Sequence, residues 1–261
     1  MTSQSVRWDT AVRPMVDARE GRLWRNHSDA VNGALVSRWL EPSSRARILK
    51  TDLFDEAMGV GLVPLLATRA QRIAAIDIAT SVLGAAAARY PRLDVVGADV
   101  RHLPFADATF DAVVSNSTLD HFAARDDIGA SLVELHRVLR PGGRLVLTMD
   151  NLRHPAVALR NAMPMGLLRR IGLVPYPIGK TVGPRRLLRI VRAAGFEVVD
   201  VDALLHCPRT LAVLRARRLD REGDPGSHRR FLKGLGRWER LARLPTRFLT
   251  GHYVGVLARK T

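Results

Sequence analysis

The chain has 261 residues, 47% of them hydrophobic, which suits one well-buried domain and argues against wholesale disorder. A single cysteine, Cys207, excludes an internal disulfide, and no apolar run reaches the ~18 residues of a membrane span. The net charge of +16 suits nucleic acid, anionic lipid or an acidic small molecule, but arginine-rich codon usage explains it equally well, because only four of the 41 basic residues are lysines.

Two helices are predicted before the first strand, over residues 8–19 and from an N-cap near Ser28 to residue 40. After them, apolar runs alternate with helical patterns, which is typical of a parallel sheet with crossover helices. The predicted strands cover residues 48–54, 72–76, 93–97, 112–115, 144–149, 196–201 and 253–258. The predicted crossover helices cover residues 62–69, 80–89, 128–139 and 184–194.

Two later stretches depart from this alternation. Residues 151–183 contain four prolines, and a connection of that length is expected to have a function of its own. Residues 207–244 are predicted to be mostly helical and very basic, which makes them a helical insertion ahead of the last strand.

Small residues follow the first predicted strand. Its apolar run stops at Asp55, and Ala57, Gly59 and Gly61 then come at two-residue spacing before a helical segment. Small side chains let a backbone turn tightly and approach a ligand closely. The stretch therefore predicts a ligand-binding turn at the carboxyl end of the first strand.

Acidic residues end the next two predicted strands. Asp77 closes the second strand and Asp99, followed by Val100, closes the third. The fourth strand ends near Asn116, and the turn Pro141-Gly142-Gly143 precedes the fifth. Because the carboxyl ends of parallel strands share one edge of a sheet, these side chains are expected to face a common ligand.

In their order and spacing, these motifs resemble the class I S-adenosylmethionine-dependent methyltransferases over residues 45–150, with Ala57 in place of the first motif glycine. The resemblance implies a Rossmann-like α/β fold: a seven-stranded, mostly parallel sheet sandwiched by helices, with N-terminal helices and a helical insertion before the last strand. It also implies S-adenosylmethionine as cofactor. The residues that the resemblance places around the cofactor are Asp55, Ala57, Gly59, Gly61, Asp77, Ile78, Asp99, Val100 and Asn116.

The same resemblance suggests one methyltransferase domain over residues 1–261. Within it we expect an N-terminal helical cap at 1–44, a cofactor-binding core at 45–150, a substrate lid at 151–183 and a C-terminal part at 184–261 that carries the basic insertion. A nicotinamide-dependent oxidoreductase is disfavoured, because Gly59 and Gly61 lack the third glycine that approaches a pyrophosphate.

Methyl transfer requires alignment of the acceptor and, for some acceptors, removal of a proton. The candidate catalytic residues follow the fourth and fifth strands: Asp120, His121 and Asp150. His121 is a candidate general base, since imidazole titrates near neutral pH, although a structural place at the rim of the pocket would also suit it. His252 is expected to be structural or at the surface, and no spacing predicts a metal site.

The acceptor is expected to be a small organic molecule methylated on oxygen, nitrogen or carbon, with amphiphilic or anionic molecules as candidates. An RNA methyltransferase, or a non-catalytic protein that binds S-adenosylmethionine, stays an alternative; nucleic acid is the less favoured partner because its only support is the charge. Residues 163–171 and the arginines after them suggest an anionic membrane surface. The polar start, residues 1–13, predicts a cytoplasmic protein, with attachment to the membrane periphery left open.

Overall fold

The computed structural model describes residues 3–18, 21–122, 124–164, 168, 170 and 179–261. Its centre is a seven-stranded sheet in the order β3-β2-β1-β4-β5-β7-β6, in which β7 is antiparallel to both of its neighbours and the remaining pairs are parallel. The strands are β1 (Arg47–Lys50), β2 (Arg72–Asp77), β3 (Asp94–Gly97), β4 (Phe110–Asn116), β5 (Leu139–Asp150), β6 (Phe196–Leu204) and β7 (Tyr253–Lys260). The predicted fold class is confirmed.

Helices cover both faces of this sheet and the edge at which β1 to β5 end. They are α1 (Ser3–Ala18), α2 (Arg22–Trp39), α3 (Phe54–Met58), α4 (Val63–Ala67), α5 (Thr80–Arg89), α6 (Asp126–Val138), α7 (Pro155–Ala162), α8 (Pro184–Ala193), α9 (Arg209–Glu222), α10 (Pro225–Trp238) and α11 (Arg247–Thr250). Two short 3₁₀ helices are Leu119–His121 and Glu239–Arg243. The predicted helical insertion before the last strand is confirmed by α9, α10 and α11.

The core lies on the two faces of the sheet. On one face, Val113, Leu145 and Val256 pack against Leu132 and Leu135 of α6. The other face is covered by α2 and α4, whose apolar side chains meet the outward-facing residues of β1, β4 and β7. Because the strands are buried on both faces, they appear in the sequence as short apolar runs rather than as alternating patterns.

The first strand is shorter than predicted. It ends at Lys50, and Phe54 begins helix α3, so the prediction that the strand runs to residue 54 is wrong. Lys50 is fully buried because its ammonium pairs with Glu56, with 2.9 Å between Nζ and Oε2. The strand therefore keeps a charged residue inside, and the chain turns into a helix directly after it.

Both N-terminal helices start earlier than predicted. Helix α1 begins at Ser3, where Ser5 donates a hydrogen bond to the Ile78 carbonyl across the sheet edge. Helix α2 begins at Arg22 after Gly21, so the predicted cap at Ser28 is wrong. Its first turn is held by tertiary contacts, since Leu23 packs against α9, and no local signal in the sequence marks that contact.

Residues 151–183 leave the sheet and return to it at almost the same place. Asn151 forms a parallel bridge with Val182, and the Thr181 hydroxyl donates a hydrogen bond to the Asp150 carbonyl. The Lys180 amide donates to the Phe122 carbonyl over 2.8 Å. Both ends of this long connection are thus fixed beside the tips of β4 and β5.

None of the helices in the described ranges combines the length and the apolar character that a membrane span requires. The segment 163–171, which suggested a membrane surface, lies largely outside the described residues. The arginines of α8 are described, and four of them are exposed along that helix: Arg185, Arg186, Arg189 and Arg192.

Candidate functional site

A cavity of about 170 Å³ opens at the edge where β1, β2, β3 and β4 end. It lies at the point where the strand order reverses between β1 and β4, which is where open parallel sheets bind ligands. Helices α1 and α2 cover it with Trp8, Val12, Trp24, Arg25, Ser28 and Asn32. The wall from the sheet consists mainly of Thr51, Asp52, Phe54, Asp55, Asp77, Ile78, Asp99, Val100, Asn116, Ser117, Thr118, His121 and Tyr253.

One end of the cavity is acidic. Asp77, at the tip of β2, accepts hydrogen bonds from the backbone amides of Leu53 and Ala79, at 3.1 and 2.8 Å. Burial raises the pKa of Asp77, and these hydrogen bonds oppose the shift. Burial and the nearby charge of Asp77 raise the pKa of Asp52 well above its usual value. The two carboxylates therefore form a crowded pair that a cationic ligand would stabilise.

A buried ion pair supports this acidic end from below. Glu56 is completely buried; it binds Lys50 and accepts a hydrogen bond from the Leu62 amide over 2.8 Å. Burial opposes the charge on Lys50, but Glu56 and the other nearby acids hold its pKa above the usual value. Asp29 of α2 accepts from the Gly61 amide over 3.0 Å, and burial together with Asp55 raises its pKa to about 7.

Three of the predicted cofactor residues lie outside the cavity lining. Ala57 is buried in α3, and Gly59 and Gly61 belong to the turn between α3 and α4. Gly61 has a φ of 62°, and a Cβ there would lie 2.4 Å from the Glu56 carboxyl carbon. The small residues therefore make room for a buried carboxylate, and the cavity is lined instead by the residues just after β1.

The predicted acids Asp55 and Asp99 do line the cavity, each beside an arginine. Arg25 lies 3.5 Å from Asp55 and covers the ring of Phe54. Arg101 binds Asp99 through Nη2 at 2.6 Å. Burial opposes the charge of Asp99, yet these hydrogen bonds from Arg101 hold its pKa below the usual value. Both carboxyl groups therefore line the cavity beside a guanidinium group.

The tip of β4 contributes a polar turn. The Asn116 side chain accepts a hydrogen bond from Thr148, and the Thr51 hydroxyl contacts those of Ser115 and Thr118 at 3.0 and 2.9 Å. Ser117 has a φ of 51°, in the left-handed region that a residue with a side chain rarely adopts. Such a conformation persists where the surroundings hold it, and here it turns the chain directly into the cavity wall.

Two of the predicted catalytic residues follow this turn. His121 lines the cavity, with its ring edge-on to Trp8 at a centroid distance of 5.2 Å. Asp120 is buried behind it, where it accepts hydrogen bonds from the Ser117 hydroxyl and the Asp150 amide. Burial and the charge of Asp150 raise the pKa of Asp120. Asp120 is thus a positioning group for the turn, and His121 is the residue that faces the ligand space.

The third predicted catalytic residue, Asp150, lies in a buried cluster beyond the cavity. Its Oδ1 is 3.2 Å from His252 Nε2, and its Oδ2 contacts Arg160. Burial opposes its charge, but His252, Arg160 and Arg209 hold the pKa of Asp150 far below its usual value. Burial and the charge of Arg209 lower the pKa of His252 to about 4, and this buried imidazole lies outside the cavity lining.

Several lining residues were not predicted from the sequence. Thr51 and Asp52 were assigned to the strand interior, and Arg25 and Asn32 belong to a helix whose contacts with the cavity depend on tertiary packing. Arg209, the first residue of α9, reaches the cavity from 93 residues beyond Asn116. The sequence contains a signal that could have identified Asp52 as a lining residue, because an acid there follows the end of a strand. It contains no such signal for Arg209.

The residues present suit S-adenosylmethionine, which carries a sulfonium, an ammonium and ribose hydroxyls. Carboxylates attract both cations, and Asp77 can accept further hydrogen bonds beside its two backbone donors. Asn32 is 3% exposed, and its Oδ1 has no hydrogen-bond partner among the described residues, so a donor on a ligand would satisfy it. Within the same part of the chain, no cluster of His, Cys, Asp and Glu is arranged to hold a metal ion.

A family model described as a methyltransferase domain matches residues 54–147. A probable S-adenosylmethionine-dependent methyltransferase of Mycolicibacterium smegmatis is 29% identical over 156 residues, which are 59% of this chain and 55% of that protein. A demethylmenaquinone methyltransferase of Beutenbergia cavernae is 34% identical over 127 residues, 48% of this chain and 46% of that one. The chain thus spans about half the length of these curated relatives.

Among solved structures, the [4+2]-cyclase SpnF aligns with a TM-score of 0.57 and 20% identity, over 87% of this chain and 79% of its own. At that identity the likeness concerns the fold alone. Taken with the matching family model and the relatives, it agrees with the motifs read from the sequence. Residues 54–147 match a methyltransferase domain, and the chain is similar to class I S-adenosylmethionine-dependent methyltransferases.

Proposed function

We propose that this protein transfers a methyl group from S-adenosylmethionine to a small organic acceptor within the cavity between the sheet edge and helices α1 and α2. The observation that carries the proposal is the polarity of this cavity. Its β1–β3 end is lined by Asp52, Asp55, Asp77 and Asp99, and its β4 end is lined by hydroxyl, imidazole and aromatic groups. A cationic cofactor and an acceptor can therefore lie side by side at the tip of β4.

The acidic end would hold the cofactor. Asp77 is positioned for the ribose hydroxyls, with Ile78 beside it, and Asp99 and Val100 for the adenine. The methionine end would meet Asp52 and Asp55, rather than Ala57, Gly59 and Gly61 directly; those three residues would act by shaping the turn that carries Asp55. Each assignment follows from the position of the side chain in the cavity wall.

When bound, S-adenosylmethionine supplies a methyl group on a sulfonium, whose sulfur keeps the carbon–sulfur electron pair as the acceptor atom bonds to that methyl. The residues of the chain then have two tasks. Asn116, Ser117 and the aromatic wall of Trp8 and Trp24 align the acceptor and exclude water. His121 takes the proton of an acceptor that must lose one, and Asp120 holds the turn that positions His121.

We propose that the acceptor is selected by the elements near the β4 end of the cavity. Helices α1 and α2 form the cover, and residues 151–183, which begin and end beside the tips of β4 and β5, form the substrate lid. An apolar, aromatic wall beside arginines suits an amphiphilic or anionic acceptor. This choice concerns only the acceptor and leaves the cofactor assignment unchanged.

Calorimetric titration tests the cofactor first. S-adenosylhomocysteine should bind with one-to-one stoichiometry, and NAD should show no measurable heat, because carboxylates line the place a pyrophosphate would need. An acceptor screen with methyl-labelled cofactor then tests transfer. For an acceptor that must lose a proton, His121→Asn should have a kcat about 100-fold lower than that of the parent enzyme, with an unchanged affinity for S-adenosylhomocysteine. Absence of S-adenosylhomocysteine binding would refute the proposal.

A second candidate is a protein that binds the cofactor without transferring its methyl group. It is supported by the region around β1, which departs from the methyltransferase motif: Lys50 and Glu56 form a buried pair there, and the turn of small residues lies outside the cavity lining. A [4+2]-cyclase has a similar fold, so this fold also accompanies chemistry other than methyl transfer. Stoichiometric binding of S-adenosylmethionine with no labelled product from a broad acceptor screen would favour this candidate.

A third element of the proposal is attachment to an anionic membrane surface through α8. Its four exposed arginines, Arg185, Arg186, Arg189 and Arg192, lie within eight residues with no acid between them. Anionic vesicles should therefore retain the protein at low salt and release it near ~0.5 M salt. The double variant Arg185→Ser, Arg189→Ser should reduce retention, and the matched variant Arg89→Ser, Arg92→Ser should not. Equal retention on neutral vesicles would contradict this attachment.

A further inference from the structure

Arg209 stands at the end of the cavity opposite the acids. Its guanidinium carbon lies 5.8 Å from the ring centre of Trp24 and 5.6 Å from that of Tyr253, and both rings line the cavity with it. Its Nη1 is 2.7 Å from His252 Nε2, and the side chain is 28% exposed. The guanidinium is therefore partly accessible from the cavity while its aromatic and imidazole neighbours fix its orientation.

The surroundings of Arg209 hold its guanidinium in one orientation. Nε2 of His252 lies between Nη1 of Arg209 and Oδ1 of Asp150, at 2.7 and 3.2 Å, so this imidazole holds the guanidinium in place. Asp150 Oδ1 is 4.0 Å from Nη1, beyond hydrogen-bond distance, and the same carboxylate also contacts Arg160 and His252. The guanidinium lines the cavity and is partly exposed, so an oxyanion in the cavity can reach it while the contact with His252 is kept.

The sheet sets the separation between Arg209 and the place of methyl transfer. Tyr253 begins β7, which is separated from β4 by β5, and Tyr253 pairs with Asp150 just as Thr148 pairs with Asn116. Neighbouring strands lie about 4.8 Å apart, and Thr148 and Asp150 are two residues apart along β5, so Asn116 and Tyr253 are about 12 Å apart. A small molecule can span that distance.

From this geometry we propose that the acceptor carries an oxyanion, a carboxylate or a phosphate, which binds Arg209 between Trp24 and Tyr253 while its methylated atom lies about 12 Å away at the tip of β4. The inference rests on the proposed function and names the class of its acceptor. The four acids at the other end would repel an oxyanion, so the cavity admits such an acceptor in one orientation only. Arg209 would thereby determine specificity without touching the reacting atoms.

The test uses aromatic probes on the full chain saturated with S-adenosylhomocysteine. Benzoate and phenyl phosphate are titrated by ligand-detected NMR, with benzamide as the neutral control. Both anions should bind at least about tenfold more tightly than benzamide, as expected for a charge-assisted bidentate pair. Arg209→Gln should remove this preference, Arg209→Lys should keep part of it, and Arg217→Gln, on an exposed face of α9, should leave it intact.

The outcomes separate this inference from the proposed function. If S-adenosylhomocysteine binds every variant equally and Arg209→Gln alone loses the preference for anions, the subsite is supported; the tighter of the two anions then indicates carboxylate or phosphate. If benzoate binds Arg209→Gln as it binds the parent, or binds no better than benzamide, the subsite is refuted although the cofactor site stands. If the parent fails to bind S-adenosylhomocysteine, the proposed function fails, and the benzoate titration on the protein alone still decides the subsite.

Discussion

The two ends of the cavity bury charge in opposite ways. At the β1–β2 end, the carboxyls Asp52, Asp77 and Asp29 are half-buried, and their pKa values are raised. At the β5–β7 end, Asp150 is more deeply buried, yet its pKa is lowered because arginines and a histidine surround it. Burial alone would raise all four, so the neighbouring charges decide the direction. The first end is suited to receive positive charge from a ligand, and the second to receive negative charge.

The largest expected effect concerns Lys50, the buried cation of the acidic end. Lys50→Met should lower the free energy of unfolding by about 3–5 kcal/mol, because it leaves the Glu56 carboxylate buried without its ammonium partner. Urea denaturation measures this loss. The double variant Lys50→Met, Glu56→Gln should recover much of it, and a single variant as stable as the parent would show that the acidic end does not depend on this pair.

The next effect concerns the turn that makes room for Glu56. Gly61→Ala should lower the free energy of unfolding by about 2–3 kcal/mol, since the residue has a φ of 62° and the new methyl group would meet the Glu56 carboxyl. Gly59→Ala is the matched control, because its φ is −151° and its nearest contact would be an ordinary 3.4 Å. Thermal unfolding of both variants tests the difference, and equal melting temperatures would contradict it.

Ligand binding tests the acidic end directly. Asp77→Ala should weaken the binding of S-adenosylhomocysteine by about 1–3 kcal/mol, as expected when charge-assisted hydrogen bonds to two hydroxyls are lost. Asp94→Ala, an exposed acid at the start of β3, serves as the control in the same calorimetric titration. If both variants bind like the parent, the ribose assignment is wrong, and the contrast between the two ends loses its functional meaning.

The smallest effect is a pair of opposite pH dependences. Asp29 has its pKa raised from 3.8 to about 7, so the folded state holds a proton that the unfolded chain releases, and its contribution to stability is lost as the pH rises through that interval. His252 has its pKa lowered from 6.5 to about 4, so its contribution is present above pH 6.5 and is lost as the pH falls toward 4.

Unfolding free energies measured between pH 4.5 and 8 distinguish these two groups. As the pH rises, Asp29 should lower the free energy of unfolding by about 1 kcal/mol, and Asp29→Asn should abolish that decrease. His252 should raise the free energy of unfolding by about 1 kcal/mol over the same range, and His252→Gln should abolish that increase. The two variants should therefore change the slope of stability against pH in opposite directions. Slopes that change in the same direction would mean that the two ends do not differ in the sign of their buried charge.

The sheet could largely be predicted because its strands are short apolar runs separated by helical patterns. The helix over Thr80–Arg89 and the strand from Tyr253 have the predicted starts, and both rest on local sequence. The end of β1 could not be predicted in the same way. Lys50 is buried only because Glu56 returns to it across a helical turn, and no periodicity in the sequence reports a pair of that kind.

The candidate site likewise contains residues that could be predicted from the sequence and residues that could not. Asp77, Asp99, Asn116 and His121 follow strand ends, and the structure places all four in one cavity wall. Sequence reasoning missed Arg209 because its orientation depends on Trp24 and Tyr253, which precede it by 185 positions and follow it by 44. Contacts of that range are set by the packing of the helical insertion on α2, which only the three-dimensional arrangement reveals.

The paired ends of residues 151–183 have a consequence for how this protein can change. Asn151 and Val182 are already bridged to each other, so the number of residues between them does not affect the pairing of the strands. Each doubling of such a loop costs only about 0.6 kcal/mol in closure entropy. Insertions between residues 163 and 179, which leave Arg160 beside Asp150, would therefore cost little folding free energy, and such variants test whether the proposed substrate lid selects the acceptor.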